Sequence, residues 1–345
     1  MMPSSSMLKF TLVFSFLLLM PGASKAFDYL QPLPDSVPVP AENPLTKAKI
    51  ALGKQLFFDP TLLGPDNTLS CNSCHQLAQG GSDNNALSIG QNGKMTHRST
   101  PSLWNIGLQT VLYWDGRSTS LENQTLDHLR DPVISSWRSI GAIVDQLNKS
   151  TRYRREFKKA FKDIADQDNP VSGINLARAI ASFERSLMTE KSPFDHYITG
   201  SKSAITVSAK RGLKLFNNAG CLACHFGATF SGPAPGPALK MGDGFYELFP
   251  NYLGTAFEQK YNLSDDLGRY EYTGLPNDRY LWRVPTLRNI ELTAPYFHNG
   301  SVLSLKEAIR VMAKTQLDKK LPESAVNDIE EFLKSLTASL PPMQK

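Results

Sequence analysis

Cys71-Asn72-Ser73-Cys74-His75 and Cys221-Leu222-Ala223-Cys224-His225 hold all four cysteines of this 345-residue chain, and a histidine directly follows each pair. Four cysteines in an exported chain ordinarily read as two disulfides. Two Cys-x-x-Cys pairs can also build one tetrahedral zinc site. Neither arrangement accounts for a histidine at the same offset twice. Covalent haem attachment does. Two thiols three residues apart on a helical turn reach the two vinyl groups of one porphyrin, and the next residue lies beneath the iron as its proximal ligand. The motifs predict two haem c groups, bound through Cys71, Cys74, Cys221 and Cys224, with His75 and His225 on the irons.

Upstream of the first motif, Lys9 precedes an apolar run from Phe10 to Met20, followed by Pro21-Gly22 and the small-residue site Ser24-Lys25-Ala26. This is the layout of a cleavable secretory signal over residues 1–26. The apolar run is about half the ~20 residues that a spanning helix needs. No cysteine lies near the cleavage site, which argues against a lipoprotein. No later segment is long and apolar enough to span, so the mature chain is expected to be exported, without a membrane span. Its formal charge is +5, or +3 once Lys9 and Lys25 are removed. With no concentrated basic run, nucleic acid is not an expected partner, although a mild positive charge can steer a redox partner.

Downstream, the wide separation of the motifs suggests one haem per domain: 27–200 and 201–345, with Pro193 and Gly200 marking the junction. Helices are expected over Ala48–Phe58, Leu121–Leu129, Gly141–Leu147, Tyr153–Ile164, Ile174–Met188, Ser203–Phe216, Ser304–Met312 and Glu323–Leu336. The clearest is Ile174–Met188, with Ile174, Leu176, Ile180, Phe183 and Leu187 at helical spacing. From Phe226 to Asp278 the chain is rich in Gly and Pro, which suggests long loops over a haem face. The expected fold is all-α: two cytochrome c-like haem domains with long loops. Beyond the two motifs no close internal repeat is evident.

Several further stretches occur in a fixed order around these motifs. They are Arg98-Ser99-Thr100-Pro101-Ser102-Leu103, Tyr113-Trp114-Asp115-Gly116-Arg117, Leu121-Glu122-Asn123-Gln124, Arg283-Val284-Pro285-Thr286-Leu287-Arg288-Asn289 and Leu292-Thr293-Ala294-Pro295-Tyr296-Phe297-His298-Asn299-Gly300. From about Leu45 to Leu340 the chain resembles the bacterial dihaem cytochrome c peroxidases and their MauG-type relatives. The resemblance implies a periplasmic enzyme in which the C-terminal haem transfers electrons and the N-terminal haem meets peroxide. It implies that Met312, fourteen residues after His298, is the distal ligand of the His225 haem, where the MauG type has Tyr. His/Met ligation raises the reduction potential; on its own, Met312 reads equally as a core residue on an amphipathic helix.

The resemblance also places Trp114 between the haems, as an electron relay as well as a large core side chain. It implies a calcium ion held by the carbonyls of Thr293 and Pro295, with Ser99 where the family has Asn; hard oxygen ligands suit calcium. Arg98, Arg117 and Arg288 either pair haem propionates or form ordinary salt bridges.

Two positions depart from the family. Its distal histidine, sixteen residues after the proximal one, is Gln91 here, and an amide is a poor iron ligand. The His75 haem is therefore expected to be five-coordinate or water-bound; His97, Met95 and His128 are the other candidates for a sixth ligand. The family's distal Gln is kept as Gln124, but its proton-moving Glu falls on Ile134, and a Pro between them is His128. His128, Asp127 or Asp131 could take over the acid–base role.

Three functions remain open on the sequence. The first is peroxide reduction to water with electrons from a small c-type cytochrome or cupredoxin, with Gln124, His128 and Trp114 as catalytic residues. The second is MauG-like oxidation of aromatic residues in a partner protein. The third is non-catalytic electron carriage. A homodimer is compatible with each.

Overall fold

The computed structural model describes residues 29–342 apart from 234, 237 and 238; the signal segment expected at 1–26 lies outside the described residues. In chain order the helices are α1 (Lys47–Phe57), α2 (Cys71–Cys74), α3 (Leu121–Arg130), α4 (Ile140–Lys149), α5 (Thr151–Ala160), α6 (Gly173–Arg185), α7 (Pro193–Ile198), α8 (Val207–Ala219), α9 (Ala256–Lys260), α10 (Tyr270–Thr273), α11 (Leu305–Leu317) and α12 (Glu323–Lys334). Their starts are legible: Thr46, Ser120, Ser172, Thr206 and Ser304 each accept a hydrogen bond from a backbone N–H in the first turn, which has no carbonyl partner of its own.

The molecule is helix-rich, with one departure from an all-helical fold among the described residues. Within the expected loop region, β1 (Tyr246–Leu248) pairs antiparallel with β2 (Leu281–Arg283). Three residues per strand are too few to leave a period-2 signal. Pro193, read as punctuation, instead opens α7, where Ser192 and Asp195 form a capping box.

Two helix crossings organise the two halves. α1 packs on α6, and α8 packs on α12. A Cβ on Gly53 would lie 1.9 Å from Ala179 O, and one on Gly212 1.8 Å from Asp328 O. Glycine is needed at both crossings so that two backbones can touch. One core gathers Phe216, Phe230, Val326 and Phe332; others gather Leu56, Phe157 and Ile180, and Phe57, Leu77, Trp104 and Phe183.

A cut at 200/201 would not separate these cores. Leu30 and Phe194 belong to the core of the second half, and Leu340 packs back against that of Phe57. Arg288 clamps Asp195 of α7 through two hydrogen bonds of 2.6 and 2.8 Å, both side chains almost fully buried.

The structure also draws out an internal repeat beyond the haem motifs, against the expectation of none. The stretch from Pro101 to Leu121 recurs from Pro285 to Leu305 without a gap, at a constant offset of 184 residues: Asn105 with Asn289, Tyr113 with Phe297, Gly116 with Gly300, Ser120 with Ser304. Asn105 (φ 62°) and Asn289 (φ 59°) are both left-handed, as are Tyr113 (φ 66°) and Phe297 (φ 70°). The isolated bridges Leu112–Ser118 and Tyr296–Val302 fall at the same offset. Ser120 and Ser304 then cap α3 and α11. Eight of the 21 paired residues are identical, so the repeat is carried in residue type as well as in backbone conformation.

Candidate functional site

Each motif opens onto its own cavity. Cys71, Cys74 and His75 line one of about 980 Å³; Cys221, Cys224 and His225 line a largely apolar one of about 250 Å³. Cofactor sites typically span ~300–1,000 Å³. All four cysteines are free of disulfides. The two pairs line different cavities, so they do not converge on a tetrahedral zinc site.

The histidines present the tautomer that an iron requires. His75 Nδ1 lies 3.1 Å from Pro101 O, and His225 Nδ1 lies 2.9 Å from Phe230 O. A carbonyl only accepts, so each Nδ1 carries the proton and each Nε2 keeps a lone pair. Burial holds both imidazoles below their ordinary pKa, which keeps them neutral. The residues present therefore fit two haems, each with two thioether points and one imidazole.

Of the other expected residues, Gln124, His128, Asp131 and Ile134 all line the larger cavity, and Met312 lines the smaller. Trp114 lines both, and its Nε1 donates to Ser99 O at 2.8 Å. Ser99, Thr293 and Pro295 share the wall of the smaller cavity.

Gln91 lies away from the cavity lining. Its backbone N–H donates to Val133 O at 2.7 Å and its side-chain amide to Leu63 O at 3.1 Å. Met95 and His97 are exposed, His97 at the cavity wall and Met95 outside it. The three arginines are engaged with carboxylates: Arg98 with Asp115 and Asp266, Arg117 with Asp115, Arg288 with Asp195.

Three residues had not been singled out. Tyr113 OH lies 2.7 Å from His128 Nδ1, with the Arg117 guanidinium 3.4 Å from the centre of its ring. Arg283 is buried against both cavities, bonded to Gln109 Oε1 at 2.6 Å and Tyr113 O at 3.0 Å, and burial lowers its pKa to about 10. Glu184 lines the larger cavity with Oε2 unpartnered, because Arg185 beside it is committed to Glu122 at 2.6 and 2.9 Å. A signal for Glu184 was present: it stands four residues after Ile180 on the apolar face of its helix.

Burial raises the Glu184 carboxyl to about 8. A carboxyl whose folded pKa exceeds its unfolded value binds its proton more tightly when folded. Its contribution to stability is therefore lost as pH rises from about 4 to about 8. Glu184→Gln is expected to be neutral near pH 5 and stabilising near pH 8, by up to a few kcal/mol in urea unfolding at the two pH values. An equal effect at both would show that the carboxyl is not buried uncompensated.

The fold and the paired Cys-x-x-Cys-His cavities define a dihaem c-type cytochrome. A family model described as di-haem cytochrome c peroxidase matches residues 47–203. Cytochrome c551 peroxidase of Pseudomonas aeruginosa is 36% identical over 312 residues, 90% of this chain and 85% of that protein. The methylamine utilization protein MauG of Methylorubrum extorquens is 33% identical over 279 residues, 80% of this chain and 71% of that protein. A solved MauG-like protein associated with microbial copper homeostasis superposes with a TM-score of 0.72 at 30% identity, over 89% of this chain and 95% of that one. The chain belongs to the dihaem cytochrome c peroxidase family, whose members carry two haem c groups. Among the described residues no helix is long and apolar enough to cross a membrane.

Proposed function

We propose that this chain is an exported, periplasmic peroxidase. Hydrogen peroxide is reduced to water at the His75 haem, with electrons entering through the His225 haem from a small c-type cytochrome or cupredoxin. The observation that carries this reading is the asymmetry of the two cavities. The larger has Gln124, His128 and Asp131 in its wall, whereas the smaller is mostly apolar and contains Met312. The first suits a polar substrate that needs protons, the second an iron that only exchanges electrons.

The haem, when bound, supplies an iron that accepts peroxide oxygen and passes on electrons. The protein's part is positioning and proton transfer. Peroxide needs two electrons and two protons to become two waters. With the haem held by Cys71, Cys74 and His75, His128 would move the proton between the two peroxide oxygens and the Gln124 amide would orient the peroxide. His128 thus does the work of the missing carboxylate at Ile134. Tyr113 holds the imidazole in place through Nδ1. Trp114, in the wall of both cavities, relays electrons between the haems. The Thr293 and Pro295 carbonyls with Ser99, which share the wall of the smaller cavity, would hold a calcium ion.

Steady-state consumption of peroxide by the haem-loaded protein, with a reduced small cytochrome as donor, tests this reading. Turnover is expected, and His128→Ala is expected to lower kcat about 10²–10⁴-fold, the usual contribution of general acid–base catalysis. No turnover at micromolar enzyme would leave electron carriage as the function. Oxidation of a co-purifying protein, without any external donor, would point to the MauG type.

A further inference from the structure

We propose that His128 is an iron ligand in the resting protein, occupying on the His75 haem the place that Met312 occupies on the His225 haem. The inference deepens the function just given and rests on its assignment of the two haems.

The repeat carries the argument. At the offset of 184 residues that pairs Asn105 with Asn289 and Ser120 with Ser304, His128 pairs with Met312. Both lie in the helix that follows the matched turn, α3 in one half and α11 in the other, entered through a serine cap of the same kind. Each faces the cavity of its own haem motif: His128 that of His75, Met312 that of His225. Methionine and histidine are both side chains that can bind haem iron. Ligation by one makes the equivalent position in the other half the natural place for a second.

The hydrogen bonds accommodate the ligating tautomer. Tyr113 OH lies 3.4 Å from Gln124 O and 2.7 Å from His128 Nδ1; when the hydroxyl donates to that carbonyl, its oxygen accepts from Nδ1–H. In that tautomer Nε2 keeps its lone pair, on a side chain that lines the cavity. An Nδ1–H anchored to an oxygen is the usual outer partner of a metal-bound histidine.

The consequence is a closed resting site in place of the open one expected from Gln91. Peroxide binds as the His128 nitrogen leaves, one ligand for another with no change in oxidation state. The released Nε2 stays beside the iron with the lone pair that general-base work requires. One residue thus gates the site and then serves it.

Electron paramagnetic resonance of the oxidised holoprotein tests this without a variant. Two low-spin signals are expected; a high-spin signal beside one low-spin signal would overturn the proposal. In His128→Ala, half of the iron is expected to become high-spin, and added imidazole to return it to low-spin. A variant spectrum identical to the wild type would also overturn it. A haem count by pyridine haemochrome separates this failure from that of the underlying reading. Two haems per chain with a high-spin wild type would remove only the ligand, whereas fewer than two would remove the haem assignment as well.

Discussion

Gly212→Val is expected to abolish or severely weaken folding, at a cost of at least ~3 kcal/mol, the upper end for overpacking a closed contact. The first atom that a Cβ meets is Asp328 O, at 1.8 Å, followed by its carbonyl carbon at 2.5 Å. These are backbone atoms in α12 and cannot rotate aside, so α8 and α12 would have to separate. Phe216 and Phe332, whose rings lie 5.3 Å apart across the same crossing, would part with them. Gly53→Val, against Ala179 O, should do the same to α1 and α6. Gly141 is the control: it is exposed on α4, and its nearest neighbour is the Ser139 hydroxyl at 3.5 Å. Gly141→Ala should stabilise by roughly 0.4–1 kcal/mol. Denaturant midpoints by circular dichroism check all three. A Gly212→Val protein with an unchanged midpoint would show that the two helices do not meet as described.

His75→Gly is expected to leave both haems covalently attached while peroxide turnover falls at least a hundredfold, ~2.7 kcal/mol in the barrier. The thioethers at Cys71 and Cys74 do not depend on the imidazole, but its nitrogen sets the iron's electronic state. Met312→Leu should act differently. On the proposed His225/Met312 ligation, it removes a ligand of the other haem, lowers that haem's potential and slows electron entry, while peroxide still reacts once with the reduced protein. Haem counting, redox titration and single-turnover mixing together separate the two variants. Equal loss of the single-turnover reaction in both would contradict the division of labour between the cavities.

Much of this was legible in the residues because it is local. A Cys-x-x-Cys-His unit places three groups on one turn and needs nothing from the rest of the chain to be recognised. Apolar spacing from Ile174 to Leu187 marks α6 for the same reason, and serine or threonine before an apolar run marks where a helix begins. The dihaem peroxidase resemblance, also read from short motifs, stands as family membership.

The misreadings have physical causes too. Pro193 signals a break or a helix start with equal force, and only the capping partner Asp195 decides which. β1 and β2 are too short to announce themselves. Gln91, by contrast, reads as a non-ligand, and its side chain bonds to Leu63 O, outside the cavity wall. Counting along a chain does not say which way a loop turns.

By itself, then, the sequence marked the two haem-attachment motifs and most of the helices, since each depends on neighbours within a few residues. Only the tertiary structure decided which side chains share a cavity. Tyr113 meets His128, Glu184 stands without a cation on a cavity wall, and α3 and α11 answer one another at an offset of 184 residues. Those relations join residues far apart in the chain, and the repeat is carried in backbone angles as well as in residue type.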